Sequence, residues 1–265
     1  MATKKEQLNK TSRLGFRCHP GLGCFTRCCG DVNIFLAPYD ILRMRKRLGI
    51  TSGEFLERYT LTVIPENSGF PMVLLRMGED GEKRCPFVGP SGCSVYEDRP
   101  WSCRMYPMDR EGDGFRVIGE PEFCLGLGEE SESIVADSLE AQGAPLYEEI
   151  EAELKPLSGD PRLSREKILN PRIQDMIRMA LYDLDRFRRF VLESRFLKIF
   201  EVDQDQVERI RTDDLELMRL AQKWLEFGLV SGEGLRIRED LVQGKGTHKA
   251  RPAARDGSHG GGNEL

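Results

Sequence analysis

Residues 85–107 read CPFVGPSGCSVYEDRPWSCRMYP, and the way these residues must fold sets the architecture of the front half of the chain. Gly89-Pro90-Ser91-Gly92 is a turn sequence, which folds Cys85 and Cys93 towards each other. Arg99-Pro100 then opens a short helix with proline in its first turn, bringing Cys103 back towards Cys93. Three thiols thus gather within a segment too rich in turns to build a layered domain. Working outwards, Cys18, Cys24, Cys28 and Cys29 lie upstream and Cys124 lies downstream. All eight cysteines of the 265-residue chain fall between Cys18 and Cys124, and none occurs from Leu125 to Leu265.

The spacings narrow the chemistry. Five residues separate Cys18 from Cys24, three separate Cys24 from Cys28, and Cys29 follows directly. No pair has the two-residue spacing of a dithiol oxidoreductase, and the three-then-two spacing of radical S-adenosylmethionine enzymes is absent. Four thiols within 12 residues, with four more later, point to soft-ligand coordination of zinc or iron. Eight thiolates supply two sets of four, or one set with spare cysteines. In extended backbone, neighbouring side chains point to opposite faces, so Cys28 and Cys29 suit two centres or a polynuclear cluster better than one shared ion. Arg17, Arg27, Arg84 and Arg104 each adjoin a cysteine and would offset the negative charge of a thiolate site. His19 is a further donor candidate beside Cys18.

Composition excludes several functions. Net charge is −5 at neutral pH, so nucleic acid is not an expected partner. Mean hydropathy is −0.44 and no apolar run reaches membrane-spanning length. Met1–Lys10 has no apolar stretch after its basic residues, so it does not read as a secretory signal. These features predict a soluble cytoplasmic protein, where clustered thiols serve metal binding or catalysis rather than structural disulfides.

The expected fold class is α+β: a small, loop-rich cysteine-cluster domain over residues 16–128, followed by an all-α helical region over 129–242. Polar tails are expected at 1–15 and 243–265, the second carrying His248 and His259. In the front half, helices are expected at Tyr39–Leu48 and from Ser52, strands at Leu61–Ile64, Met72–Met77 and Phe115–Ile118, and a turn at Asn67-Ser68-Gly69. No large apolar core is obvious there. In the back half, Ile173, Met176, Ile177, Ala180, Leu181, Leu184, Phe187 and Val191 paint one face of a single long helix beginning after Pro171. A second helix is expected from Thr212 as N-cap, and a broken one over Ser133–Leu154. This region reads as packing against the front half or recruiting a protein partner.

The blocks Cys24 with Cys28-Cys29, Cys85-Pro86-Phe87, Gly92-Cys93-Ser94-Val95-Tyr96 and Arg99 to Pro107 together resemble the YkgJ-type cysteine-cluster family, named for a CxxCxxCC pattern and described as a zinc- or iron-chelating domain. The resemblance implies metal ligation by Cys24, Cys28, Cys29, Cys85, Cys93 and Cys103. Cys18 departs from the family spacing, and Cys124 corresponds by position to a late cysteine. The implied cofactor is zinc or iron, the latter as an ion or a [4Fe-4S] cluster. A related branch, the flagellin lysine N-methylases, carries a similar block and implies as the alternative an iron–sulfur enzyme assisting methyl or electron transfer. Trp101 and Tyr106 read as core residues, with shielding of a cluster as their second use.

Overall fold

The structure is a computed structural model describing residues 7–129, 132–154 and 157–238. The segment 243–265, with His248 and His259, lies outside the described residues. Helices α1 (Pro38–Leu48) and α2 (Ser52–Tyr59) stand beside an antiparallel sheet of β1 (Phe35–Leu36), β2 (Thr60–Val63) and β3 (Met72–Leu75), in the order β1-β3-β2. The register sets Phe35 opposite Leu74 and Val63 opposite Met72. Helix α2 starts where Thr51 and Glu54 form a reciprocal capping box. Next come the hairpin β4 (Val88–Gly89) and β5 (Gly92–Cys93), α3 (Trp101–Met105), and the hairpin β6 (Met108–Glu111) and β7 (Gly114–Val117). The chain then turns helical: α4 (Val135–Ala141), α5 (Ala144–Leu154), α6 (Arg165–Ile168), α7 (Pro171–Tyr182), α8 (Leu184–Glu193), α9 (Phe196–Ile199), α10 (Gln204–Arg209) and α11 (Asp214–Glu226). A short pair, β8 (Phe200–Glu201) with β9 (Arg236–Ile237), closes it. The mixed α+β class with a helical C-terminal region is as the sequence implied.

Four local readings differ from the structure. The single helix expected after Pro171 is two, because Asp183 leaves helical geometry to cap α8, accepting from the Arg186 amide, while its carboxylate also takes the Ser52 hydroxyl. The cap of α11 is Asp213, not Thr212, since the Asp213 carboxylate accepts from the Leu215 and Glu216 amides. Within the tail expected at 1–15, residues 7–15 are tied down: Leu8 bridges to Phe115, Arg13 bridges to Ile134, and Leu14 is buried. Their two large apolar residues, Leu8 and Leu14, had no visible partner in the linear sequence. The front half also has a core that was not obvious, with Ile34, Leu36, Ile41, Met44, Phe55, Val73, Leu75 and Phe87 buried together.

Packing crosses residue 128 in both directions. Tyr39, Leu42 and Phe70 are buried in one cluster with Ile177, Leu184, Phe187, Leu217 and Leu225 of the helical region. Tyr182 in turn inserts into the front-half core. An ionic knot reinforces the seam: Asp214, buried at the start of α11, pairs with Arg45 at 2.9 Å and Lys46 at 2.8 Å from α1, and with Arg188 from α8. Burial works against the Asp214 carboxylate, but Lys46, Arg188 and Arg45 outweigh it and hold its pKa below the usual range. A second carboxylate, Asp40 in the first turn of α1, accepts from the Ala37 amide at 2.8 Å and from the Trp101 amide at 2.9 Å. It joins the start of α1 to the start of α3.

These two carboxylates give measurable consequences. Asp214→Ala leaves Arg45 buried without its closest partner and is expected to cost about 3 kcal/mol in urea unfolding. Burial pushes Asp40 up to about 7 from 3.8, against its two amide bonds. Folded Asp40 therefore keeps its proton to higher pH than the unfolded chain, so its contribution is most favourable at low pH and is lost as pH rises through about 7. Stability of the wild type relative to Asp40→Asn should decline between about pH 4 and 7, by at most about 1.4 kcal/mol per pH unit, in unfolding titrations at stepped pH.

Candidate metal centre

Successive tight turns carry the first thiols. Leu22 donates its amide to His19, Phe25 to Leu22, Arg27 to Cys24 and Cys29 to Thr26, so the chain coils rather than extends. Thr26 adopts left-handed backbone and Arg27–Cys29 forms a 3₁₀ turn. The adjacent pair Cys28-Cys29 is therefore not extended as the sequence reading assumed. With three residues per turn its side chains still diverge by about 120°.

Cys18, Cys24, Cys28 and Cys124 line one cavity of about 30 Å³, closed by Phe16, Leu22, Tyr106 and Phe123. Cys124 arrives from a second loop, stitched to the first where the Arg17 amide donates to the Gly126 carbonyl at 3.0 Å. That approach requires glycine: a Cβ on Gly126 would sit 2.6 Å from the Arg17 carbonyl oxygen. Cys24 and Cys124 are buried, Cys28 is half-buried and Cys18 is exposed. Burial, then the charges of Cys28, Cys24 and Cys124, push the Cys18 thiol up. A hydrogen bond to Cys29, with burial second, raises Cys28 strongly. Burial also raises Cys124, although the Tyr106 hydroxyl hydrogen-bonds to it and favours its thiolate. Tyr106 is thus a wall of the thiol cavity rather than an ordinary core residue.

A second group forms around the block quoted at the outset. The chain turns at Gly89–Gly92, as the turn residues predicted, and the β4–β5 hairpin sets Val88 opposite Cys93 and Gly89 opposite Gly92. Cys29 connects to this group through its backbone, its carbonyl accepting from the Cys85 amide at 2.8 Å beside a bridge between Gly30 and Arg84. Cys85, Cys93 and Cys103 pack against the front-half core, and all eight cysteines are free thiols. Burial pushes Cys103 up to about 12, with the charges of Cys85, Asp40 and Cys93 adding to it. Burial likewise raises Cys85, opposed by the Phe87 amide, and raises Cys93, opposed by the Val95 amide and Arg99.

Two buried guanidiniums flank this second group. Arg104 donates to the carbonyls of Arg99 at 3.0 Å, Gln142 at 2.5 Å and Glu97 at 2.5 Å, and to the Tyr147 hydroxyl at 3.0 Å. Arg99 donates to the Tyr96 carbonyl and the Gln142 side chain and lies 3.7 Å from the Tyr96 ring centroid. Each is 6% exposed, and among the described residues neither forms an ion pair. Burial lowers the Arg99 pKa. Of the arginines flagged by adjacency to cysteine, Arg104 alone is buried: Arg84 pairs with Glu82, Arg27 lies over the Phe123 ring, and Arg17 is exposed. Arg99 escaped that reading because it meets Cys93 and Cys103 through folding, not through sequence adjacency. His19 turns away from the thiols, its Nδ1 accepting from the Gly21 amide and its Nε2 lying 3.7 Å from Glu129.

Among the described residues no group of three or more His, Cys, Asp or Glu side chains is arranged closely enough to hold a metal ion as it stands. The four cysteines of the first group share cavity walls without converging on a point. The donor chemistry nevertheless fits a soft cation: four thiols surround an ion-sized space, where roughly 10–15 Å³ accommodates one water-sized body. Side-chain rotation is the adjustment that coordination would require.

The site and fold define a cysteine-cluster domain continued by helices. A family model described as "CxxCxxCC: Putative zinc- or iron-chelating domain" matches residues 17–125, in agreement with the resemblance carried by the cysteine blocks. No curated protein and no solved structure matches the chain. No helix among the described residues is long and apolar enough to cross a membrane.

Replacing Gly126 tests how the first group is assembled. Gly126→Ala forces the Cys18 and Cys124 segments apart and is expected to cost about 1–3 kcal/mol in thermal or urea unfolding, whereas Gly128→Ala, which meets no atom within 4 Å, should be near neutral.

Proposed function

We propose that residues 17–125 hold two metal ions in a cytoplasmic protein, one bound by Cys18, Cys24, Cys28 and Cys124, the other by Cys29, Cys85, Cys93 and Cys103. The observation that carries this reading is the parting of the adjacent pair: Cys28 lines the cavity of the first group, while the Cys29 backbone is bonded to Cys85 of the second. Zinc or iron suits either set of four thiolates. The small first cavity favours a single ion over a four-iron cluster. At the second group, Arg99 and Arg104 are cations buried without anionic partners, and a doubly negative tetrathiolate centre is the complement they lack. A bound ion would supply a cross-link between segments distant in sequence, in the manner of a structural site. The alternative, implied by resemblance to the flagellin lysine N-methylases, is an iron–sulfur centre serving methyl or electron transfer.

Metal and acid-labile sulfide analysis on protein purified without air decides between these readings. Two equivalents of zinc or iron without sulfide are expected. Cys24→Ser should remove one equivalent and Cys85→Ser the other. A single equivalent, or loss of all metal in both folded variants, would overturn the two-centre reading, and stoichiometric sulfide would establish the cluster instead. Because Cys18, Cys28, Cys85, Cys93, Cys103 and Cys124 are held above the usual thiol pKa in the metal-free protein, binding must expel protons, so affinity should fall steeply as pH falls. Competition with a chromophoric chelator at stepped pH measures this.

A further inference from the structure

Away from the thiols, a cavity of about 680 Å³ opens between α1, α3, α5, α7 and α11, within the size range of small-molecule sites. Phe35, Tyr39, Phe70, Trp101 and Tyr182 supply aromatic walls from both halves of the chain. The charged lining is Asp40, Arg110 and, on α5, Glu148 and Glu151, which lie three residues apart on one helical face. Most of the charge at this cavity is already committed. Glu148 pairs with Arg110, and Asp40 spends both carboxylate oxygens on backbone amides. Glu151 differs: among the described residues its side chain forms neither an ion pair nor a hydrogen bond, while its backbone lies within α5. Burial pushes its pKa up, and Arg110 only partly offsets this.

One uncommitted carboxylate beside several aromatic faces is complementary to a single positive charge on an apolar body. The carboxylate would take the ammonium, and the rings would take the body and part of the charge. An anion would meet Glu148 and Glu151 with Arg110 already engaged. A neutral guest would leave Glu151 without a counter-charge. We propose that this cavity binds a small organic monocation, a primary amine carried on an apolar body, with Glu151 as its counter-ion.

Calorimetric titration of the full chain with phenylbutylamine, phenylbutanol and phenylbutyrate at neutral pH tests the assignment. The amine should bind at least about tenfold more tightly than the alcohol, with the carboxylate weakest. Glu151→Gln should erase the preference for amine over alcohol while leaving alcohol binding unchanged. Ala152→Trp, at an exposed position on the cavity wall, should weaken all three by filling the space. Circular dichroism and urea unfolding establish that both variants remain folded. Equal binding of amine and alcohol, an amine affinity indifferent to Glu151→Gln, or no amine binding at millimolar concentration by the folded wild type would each overturn the proposal.

Discussion

Asp40 is a side chain through which three parts of this molecule meet. Its two oxygens satisfy one orphan amide at the start of α1 and one at the start of α3, helices separated by some sixty residues of chain. Helix α1 lies in the seam with the helical region, and α3 carries Cys103, so the carboxylate relates the thiols to the large core. It also forms part of the wall of the large cavity. A buried carboxyl is expensive, and the upward displacement of its pKa measures that expense. Two amide bonds of good length are what make the position tolerable.

A similar conflict runs through the cysteines. Burial disfavours the thiolates of Cys18, Cys28, Cys85, Cys93, Cys103 and Cys124, and most of these also face the charge of a neighbouring cysteine. Apolar packing alone does not require eight thiols in two such groups, since Val or Ala would fill the space without the electrostatic conflict. Close to one group, Arg99 and Arg104 bear the opposite problem, positive charge in a buried place with only carbonyls, a side-chain amide, a hydroxyl and aromatic rings around it. Thiols that resist ionisation and cations without anions are complementary halves of one electrostatic arrangement. A divalent ion that draws protons off the sulfurs resolves both at once, because a tetrathiolate shell carries net negative charge.

Much of this was legible in the sequence wherever the signal was local. Gly89-Pro90-Ser91-Gly92 marked the turn of the β4–β5 hairpin, and the helix expected from Ser52 is α2. Gly143, with its left-handed backbone, marked the break between α4 and α5. What could not be read depended on distant partners. The apolar face from Ile173 to Val191 has one continuous helical period, yet the helix stops at Asp183 because that carboxylate caps α8 and takes the hydroxyl of Ser52, more than a hundred residues away. Leu8 and Leu14 looked like stray residues in a polar tail, and only the edge of β7 and the start of α4 make them strand and core. The partition of the thiols into two groups was equally hidden, since it turns on which loop Cys124 returns to and which carbonyl the Cys85 amide finds.

The asymmetry of the chain, with thiols in front and none behind, therefore does not describe two independent bodies. Had the front half been a thiol-rich module with little core, the helices would have needed only a peripheral contact with it. Instead Tyr39, Leu42 and Phe70 complete the helical core, and Tyr182 completes the other. Arg45 and Lys46 carry the same interdependence into charge, since the carboxylate they neutralise belongs to α11. Arg104 extends it to the thiols: its bonds to Gln142 and Tyr147 fix the segment after Cys103 against the helices that follow. The helical region is in this sense the frame that holds α3 in place, and α3 is the element that brings Cys103 to the other cysteines.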